Sequence, residues 1–191
     1  MRHRPLLIIK TAQFALLQGK QITGTYESPY EQKPVKLVIH PYRLCLIKAA
    51  WYIIGLIDGE ENPKTFRVAR FKTLRCLDTP ADVPEVFDLR KYFGNAWAVY
   101  RGEESYDIEL RFFADAAKVI QETIWHHTQK VKKHKDGSVT LSFKVDGLNE
   151  ILNWILSWSG NVRVQKPAKL KELYFNALED ALQINSEADS E

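Results

Sequence analysis

The chain has 191 residues, 45% hydrophobic and 27% charged, with a formal net charge of +3. This is enough apolar material for one ordinary core or two small ones, and too balanced a charge for intrinsic disorder. No run approaches the roughly 20 apolar residues of a membrane span, and MRHRPLLIIK continues through Lys10 and Gln13 without a signal-peptide cleavage pattern, so a cytoplasmic protein is expected. Cys45 and Cys76 lie in apolar, strand-like contexts without Cys-x-x-Cys spacing, which argues against a disulfide framework or zinc ribbon. Charge is uneven: residues 1–95 hold 15 Lys/Arg against 9 Asp/Glu, whereas residues 96–191 hold 12 against 15. The first half is the expected anion binder.

In chain order, residues 5–18 place apolar side chains in a helical rhythm ended by Gly19. Gln21–Tyr26 and Val35–Ile39 read as strands, and Pro41-Tyr42-Arg43-Leu44 leads into a hairpin with strands near 50–57 and 64–77 around Asp58-Gly59 and Asn62-Pro63. Period-two alternation on the second hairpin strand puts Lys64, Phe66 and Val68 on one face and Thr65, Arg67 and Ala69 on the other. A Pro-interrupted linker with a short helix near 87–94 follows. Then come a strand at 106–114, a helix from Ala116 to His126 capped by Asp115, and a hairpin over 129–145 turning at Asp136-Gly137. Helix 148–158, strand 161–165 and helix 168–183 complete the pattern, and the polar NSEADSE end reads as frayed.

Tyr26, Ser28, His40, Arg43, Tyr52, Lys64, Arg67 and Arg70 combine hydroxyls, an imidazole and cations beside the aromatic Trp51, a set able to hold phosphate and stack a base. Two ordinary readings stand beside this one. Arg67 and Arg70 can be surface residues paired with Asp58, Glu60 or Glu61, and His40 can be a satisfied structural histidine. Lys130, Lys132, Lys133, His134 and Lys135 form a basic arm that either touches a nucleic-acid backbone or is simply solvated. Glu122 and His126 stand four apart but lack a third metal ligand at a recognisable spacing. Trp154 and Trp158 fall partly off the core face of their helix, which suggests a dimer contact or packing on neighbouring strands. Neither a nucleophile elbow, a phosphate-binding glycine loop nor a metal motif is present, so neither catalysis nor a cofactor is expected.

The hairpin resembles that of the WYL-domain proteins, bacterial regulators named for a Trp-Tyr-Leu triplet, here Trp51-Tyr52-Ile53. The upstream Pro-x-x-Leu is Pro41-Tyr42-Arg43-Leu44. The downstream Arg-x-Phe-x-Leu-Asp-Arg-Ile is matched in spacing by residues 64–71, with Lys64, Ala69 and Phe71 at the departing positions. The later β, α, β-hairpin, α, β, α order resembles the WCX extension that follows the barrel in many WYL regulators. The resemblance implies an α+β protein: an SH3/Sm-like barrel with its N-terminal helix over 1–77, a linker over 78–105, a ferredoxin-like domain over 106–184 and a tail over 185–191. It also implies that Tyr26, Ser28, His40, Lys64, Arg67 and Arg70 contact the ligand. The function implied is sensing of an anionic effector, single-stranded nucleic acid or a nucleotide, for a transcriptional regulator that dimerises through its C-terminal domain. Promoter DNA would be read by a helix-turn-helix domain for which there is no room before the barrel. The competing reading is a stand-alone nucleic-acid-binding accessory that modulates a partner enzyme.

Overall fold

The computed structural model describes residues 4–29 and 32–187 and shows an α+β protein with two antiparallel sheets, in compact units of residues 1–92 and 93–191. In the first unit, helix α1 (Arg4–Gln18) buries Ile8, Ala12 and Ala15 against strands β1 (Lys20–Tyr26), β2 (Val35–Ile47), β3 (Ala50–Ile57), β4 (Lys64–Arg67) and β5 (Phe71–Pro80). Its sheet runs β4-β3-β2-β1-β5. Among the described residues the ladder is open, with β4 and β5 as its edges.

The strand expected over 64–77 is broken. A 3-10 turn at Val68–Arg70 ends pairing with β3 and sends β5 to the far side of β1. Phe66 and Val68 enter the core, so the apolar half of the alternation survives the break. Strand β2 is one long strand with a bulge between Pro41 and Arg43, which lets a proline sit inside a ladder. Gly55 faces this bend, where an added Cβ would lie 2.4 Å from the His40 carbonyl oxygen.

The second unit follows the short helix α2 (Leu89–Phe93). Strands β6 (Ser105–Phe112), β7 (Lys130–Lys133), β8 (Val139–Asp146) and β9 (Val162–Lys166) form a sheet ordered β7-β8-β6-β9, accompanied by helices α3 (Ala114–Val119), α4 (Asn149–Leu156) and α5 (Ala168–Glu187). Helix α3 stops seven residues short of His126. The side-chain amide oxygen of Gln129 accepts the backbone N–H groups of Trp125 and His126, and the Ile120 carbonyl accepts Trp125 Nε1–H, so local turns satisfy the backbone there. Asp115 does not cap this helix, because Phe113 holds that position and Asp115 pairs with Lys118. Helix α5 continues through Glu187, beyond the start expected for the tail, and 188–191 lie outside the described residues.

Trp154 and Trp158 pack within the unit. The Trp154 ring lies 4.7 Å from Trp97, 5.2 Å from Trp125 and 5.7 Å from Trp158, beside the buried Phe112. The cluster occupies them internally, and the rings carry no argument for a dimer contact.

Candidate functional site

Cross-strand register assembles the site. Tyr52 of β3 pairs with Arg67 of β4 and with Cys45 of β2, which places the three on the face of the sheet away from Trp51 and Ile53. The end of β1 is clipped to the same corner: Arg67 N–H donates to Tyr26 Oη at 3.1 Å, and Glu27 N–H donates to the Arg70 carbonyl at 2.9 Å. Five of the eight candidates, Tyr26, Ser28, Tyr52, Arg67 and Arg70, therefore belong to one corner.

Within it the roles differ. Tyr26 is buried, with its ring edge-on to Phe66 and Phe71 and its hydroxyl engaged by the backbone, so it supports the corner from beneath. Ser28 is half-buried in the loop after β1. The Arg67 side chain is exposed, that of Arg70 half-buried, and neither has a carboxylate partner among the described residues. Nearby acids are taken by other groups: Glu60 by Lys64 at 2.6 Å, Glu27 by Lys72 at 2.8 Å and Asp58 by His40 at 3.2 Å.

The remaining three candidates lie elsewhere. His40 pairs with Leu56, four residues along β3 from Tyr52 and so about 13 Å away. The Asp82 N–H donates to its Nδ1 at 2.8 Å, which puts the neutral ring's proton on Nε2, facing Asp58. One nitrogen thereby braces the segment after β5 and the other the turn after β3. Lys64 is at the other end of β4, held by Glu60. Arg43 donates to the Tyr42 carbonyl at 2.7 Å and has its guanidinium 5.9 Å from the centre of the Phe87 ring.

Residues that the sequence left unassigned complete the surroundings. Phe87 sits 5.1 Å from Tyr42 and 5.3 Å from Tyr92, whose hydroxyl reaches Thr65 Oγ1 at 2.9 Å. The stretch expected to act only as a linker thus covers part of the Tyr52 face. Arg43 also borders a groove of about 490 Å³ lined by Leu16 and Leu17 of α1 together with Tyr42, Leu44 and Trp51. Burial pushes the Cys45 thiol up, against the pull of Arg43, which favours its protonated form. Among the described residues no group of three His, Cys, Asp or Glu is arranged to hold a metal ion, and no helix is long and apolar enough to cross a membrane.

Comparison with known families decides the identity. The WYL domain family matches residues 8–76 and the WCX domain family matches residues 104–182. The chain is a WYL-domain protein with a WCX domain. No curated protein matches it. Among solved structures it is similar to a CRISPR Cas-related protein, at 14% identity and a TM-score of 0.52 over 96% of this chain and 52% of the other. It also matches proteasome accessory factor B/C (PafBC) of Arthrobacter aurescens, at 16% identity and a TM-score of 0.42 over 88% of this chain and 25% of the other. The chain therefore spans only part of the length of each, and the first likeness shows a shared fold. The WYL match ends at Cys76, inside β5, while the WCX match opens just before β6.

Proposed function

We propose that the chain is the effector-sensing module of a WYL-type transcriptional regulator and that it works by binding rather than catalysis. The WYL domain is read as an open SH3/Sm-like barrel and the WCX domain as a ferredoxin-like unit, the latter supported by a four-strand order that fits a βαββαβ unit with its hairpin at one edge. The ligand is an anion, a single-stranded nucleic acid or a nucleotide, held by Arg67 and Arg70 with Tyr52 beside them.

The observation that carries this reading is the pairing pattern around the corner. Lys64 and Lys72 are neutralised by neighbouring glutamates, whereas Arg67 and Arg70 have no carboxylate partner among the described residues. Such groups bind phosphate or carboxylate through two parallel hydrogen bonds. Fluorescence anisotropy of labelled oligonucleotides and of a fluorescent nucleotide, with wild type and Arg67→Ala/Arg70→Ala, tests the reading. Binding lost in the double variant supports it. Ligand binding equal to wild type removes the corner from the function.

A further inference from the structure

Residues 93–191 have 12 Lys/Arg against 15 Asp/Glu, yet several of the cations gather on one sheet face of the WCX domain. One face of its sheet carries Ile108, Leu110 and Phe112 with Leu141 and Phe143, all buried in the core. The opposite face carries a row that runs across all four strands: Lys132 pairs with Thr140, Thr140 with Arg111, and Arg111 with Arg163. A second row begins with Lys130 opposite Ser142, and Lys144 stands one step further along β8. The three intervals of the first row span roughly 14 Å.

These cations are not equivalent. Arg111 is neutralised by Asp136 at 2.7 Å and donates to Ser138 Oγ at 2.8 Å, so it belongs to the hairpin turn. Lys130, Lys132, Lys144 and Arg163 are exposed, and none has a carboxylate partner among the described residues. The half-buried Phe113, next after β6, has the Arg111 and Arg163 guanidinium carbons 5.6 and 5.3 Å from its ring centre. Acids on this face are Asp107 and Glu109, the latter paired with Lys166.

We infer that this outer sheet face is a second binding surface, separate from the Arg67 corner, that takes the sugar-phosphate backbone of a single-stranded nucleic acid, with one base stacked on Phe113. Cations without a carboxylate partner among the described residues, spread over a sheet face, suit a chain of phosphates better than one compact anion, because each reaches a different point along the ligand. The ring has guanidinium groups over it and becomes a platform for an unpaired base, which a duplex keeps inside its own stack, once the exposed Arg163 side chain swings onto the phosphates. Gln165 is exposed among the cations, 3.4 Å from the Oγ1 of the buried Thr140, which is itself engaged with His134 Nε2 at 2.8 Å. The binding is consequently salt-dependent and tolerant of sequence.

The test is fluorescence anisotropy of a labelled 20-nucleotide oligo-dT, and of a duplex of equal length, with the full chain across a salt series. Lys130→Ala/Lys132→Ala/Lys144→Ala/Arg163→Ala should weaken single-strand binding at least about tenfold. It should also flatten the slope of log affinity against log salt by about 2 to 3, the value expected when four phosphate contacts are lost. Phe113→Ala, with every cation retained, should lose roughly fivefold or more while leaving the slope unchanged. Circular dichroism matching wild type confirms that each variant is folded. Affinity and slope equal to wild type in the fourfold variant overturn the proposal, as does absence of binding by the wild type at low salt. A duplex bound as tightly as the single strand, with Phe113→Ala without effect, overturns the single-strand assignment. Arg67→Ala/Arg70→Ala separates the two surfaces: if it alone abolishes binding, the sheet face fails while the effector corner stands.

Discussion

The backbone N–H of Arg67 donates to the hydroxyl of Tyr26, 41 residues earlier, and this bond ties the edge of the β3–β4 hairpin to the end of β1. One residue presents a charge outward while its peptide group holds the corner closed. Tyr26→Phe keeps the ring against Phe66 and Phe71 but strands a donor, so it should cost about 1–2 kcal/mol of stability. Arg67→Ala keeps the peptide bond's donor and should change stability by less than about 0.5 kcal/mol while abolishing ligand binding. Urea denaturation with anisotropy on both variants checks the contrast; equal destabilisation by the two would make the Arg67 side chain structural.

Trp154 touches Trp97, Trp125, Trp158 and Phe112, so its truncation removes the ring that these four share. Trp154→Ala should therefore destabilise the WCX domain by about 3–5 kcal/mol. Light scattering should return the wild-type molar mass under native conditions. A changed molar mass at unaltered stability would instead give the ring an external partner.

Asp146 ends β8 and braces the chain before β6. Its carboxylate accepts from Ser105 Oγ and from Asn95 N–H at 3.0 Å, and Arg101 Nε lies 3.4 Å away. Burial alone would raise its pKa, but these donors and the guanidinium together hold it below the usual aspartate value. The unfolded chain then takes up the proton first as pH falls, so the stabilisation is complete above about pH 4 to 5 and is lost as the pH drops through the lowered folded value. Asp146→Asn should cost about 2 kcal/mol at neutral pH, with the gap from wild type closing below about pH 4. Chemical denaturation at pH 7 and pH 3.5 measures both; a constant gap would remove the charge from the explanation.

The β2–β3 turn is made by Lys48 and Ala49 at φ values of 45° and 61°, a left-handed pair suited to a two-residue hairpin but adverse for an alanine. Ala49→Gly should relieve the strain and raise stability by about 0.5–1 kcal/mol after allowing for the greater freedom of the unfolded glycine. Differential scanning calorimetry reads the gain as a higher Tm; a lower Tm would show that the alanine methyl makes a contact worth more than the strain.

Most element types, their order and the inward face of the second hairpin strand were legible in the amino-acid order, though not the break in strand 64–77 or the early end of the helix after β6. Alternation placed Phe66 and Val68 inside, Asp136-Gly137 turned a hairpin, and Trp51-Tyr52-Ile53 with its flanking Pro-x-x-Leu marked the family. These are local signals, since side-chain period and turn chemistry act within a few residues. What depends on distant partners emerges only once the chain is folded. Arg67 is beside Tyr52 because two strands register, and His40 lies apart from both because its register partner is Leu56, four residues along β3. Nothing in the run from Lys64 to Leu77 announces the turn at Val68–Arg70, where Tyr26 and Glu27 take hydrogen bonds that a continuous strand would have given to β3. The outer basic face of the WCX domain was likewise hidden: Lys132, Arg111 and Arg163 are far apart in sequence, and only strand pairing sets them in one row.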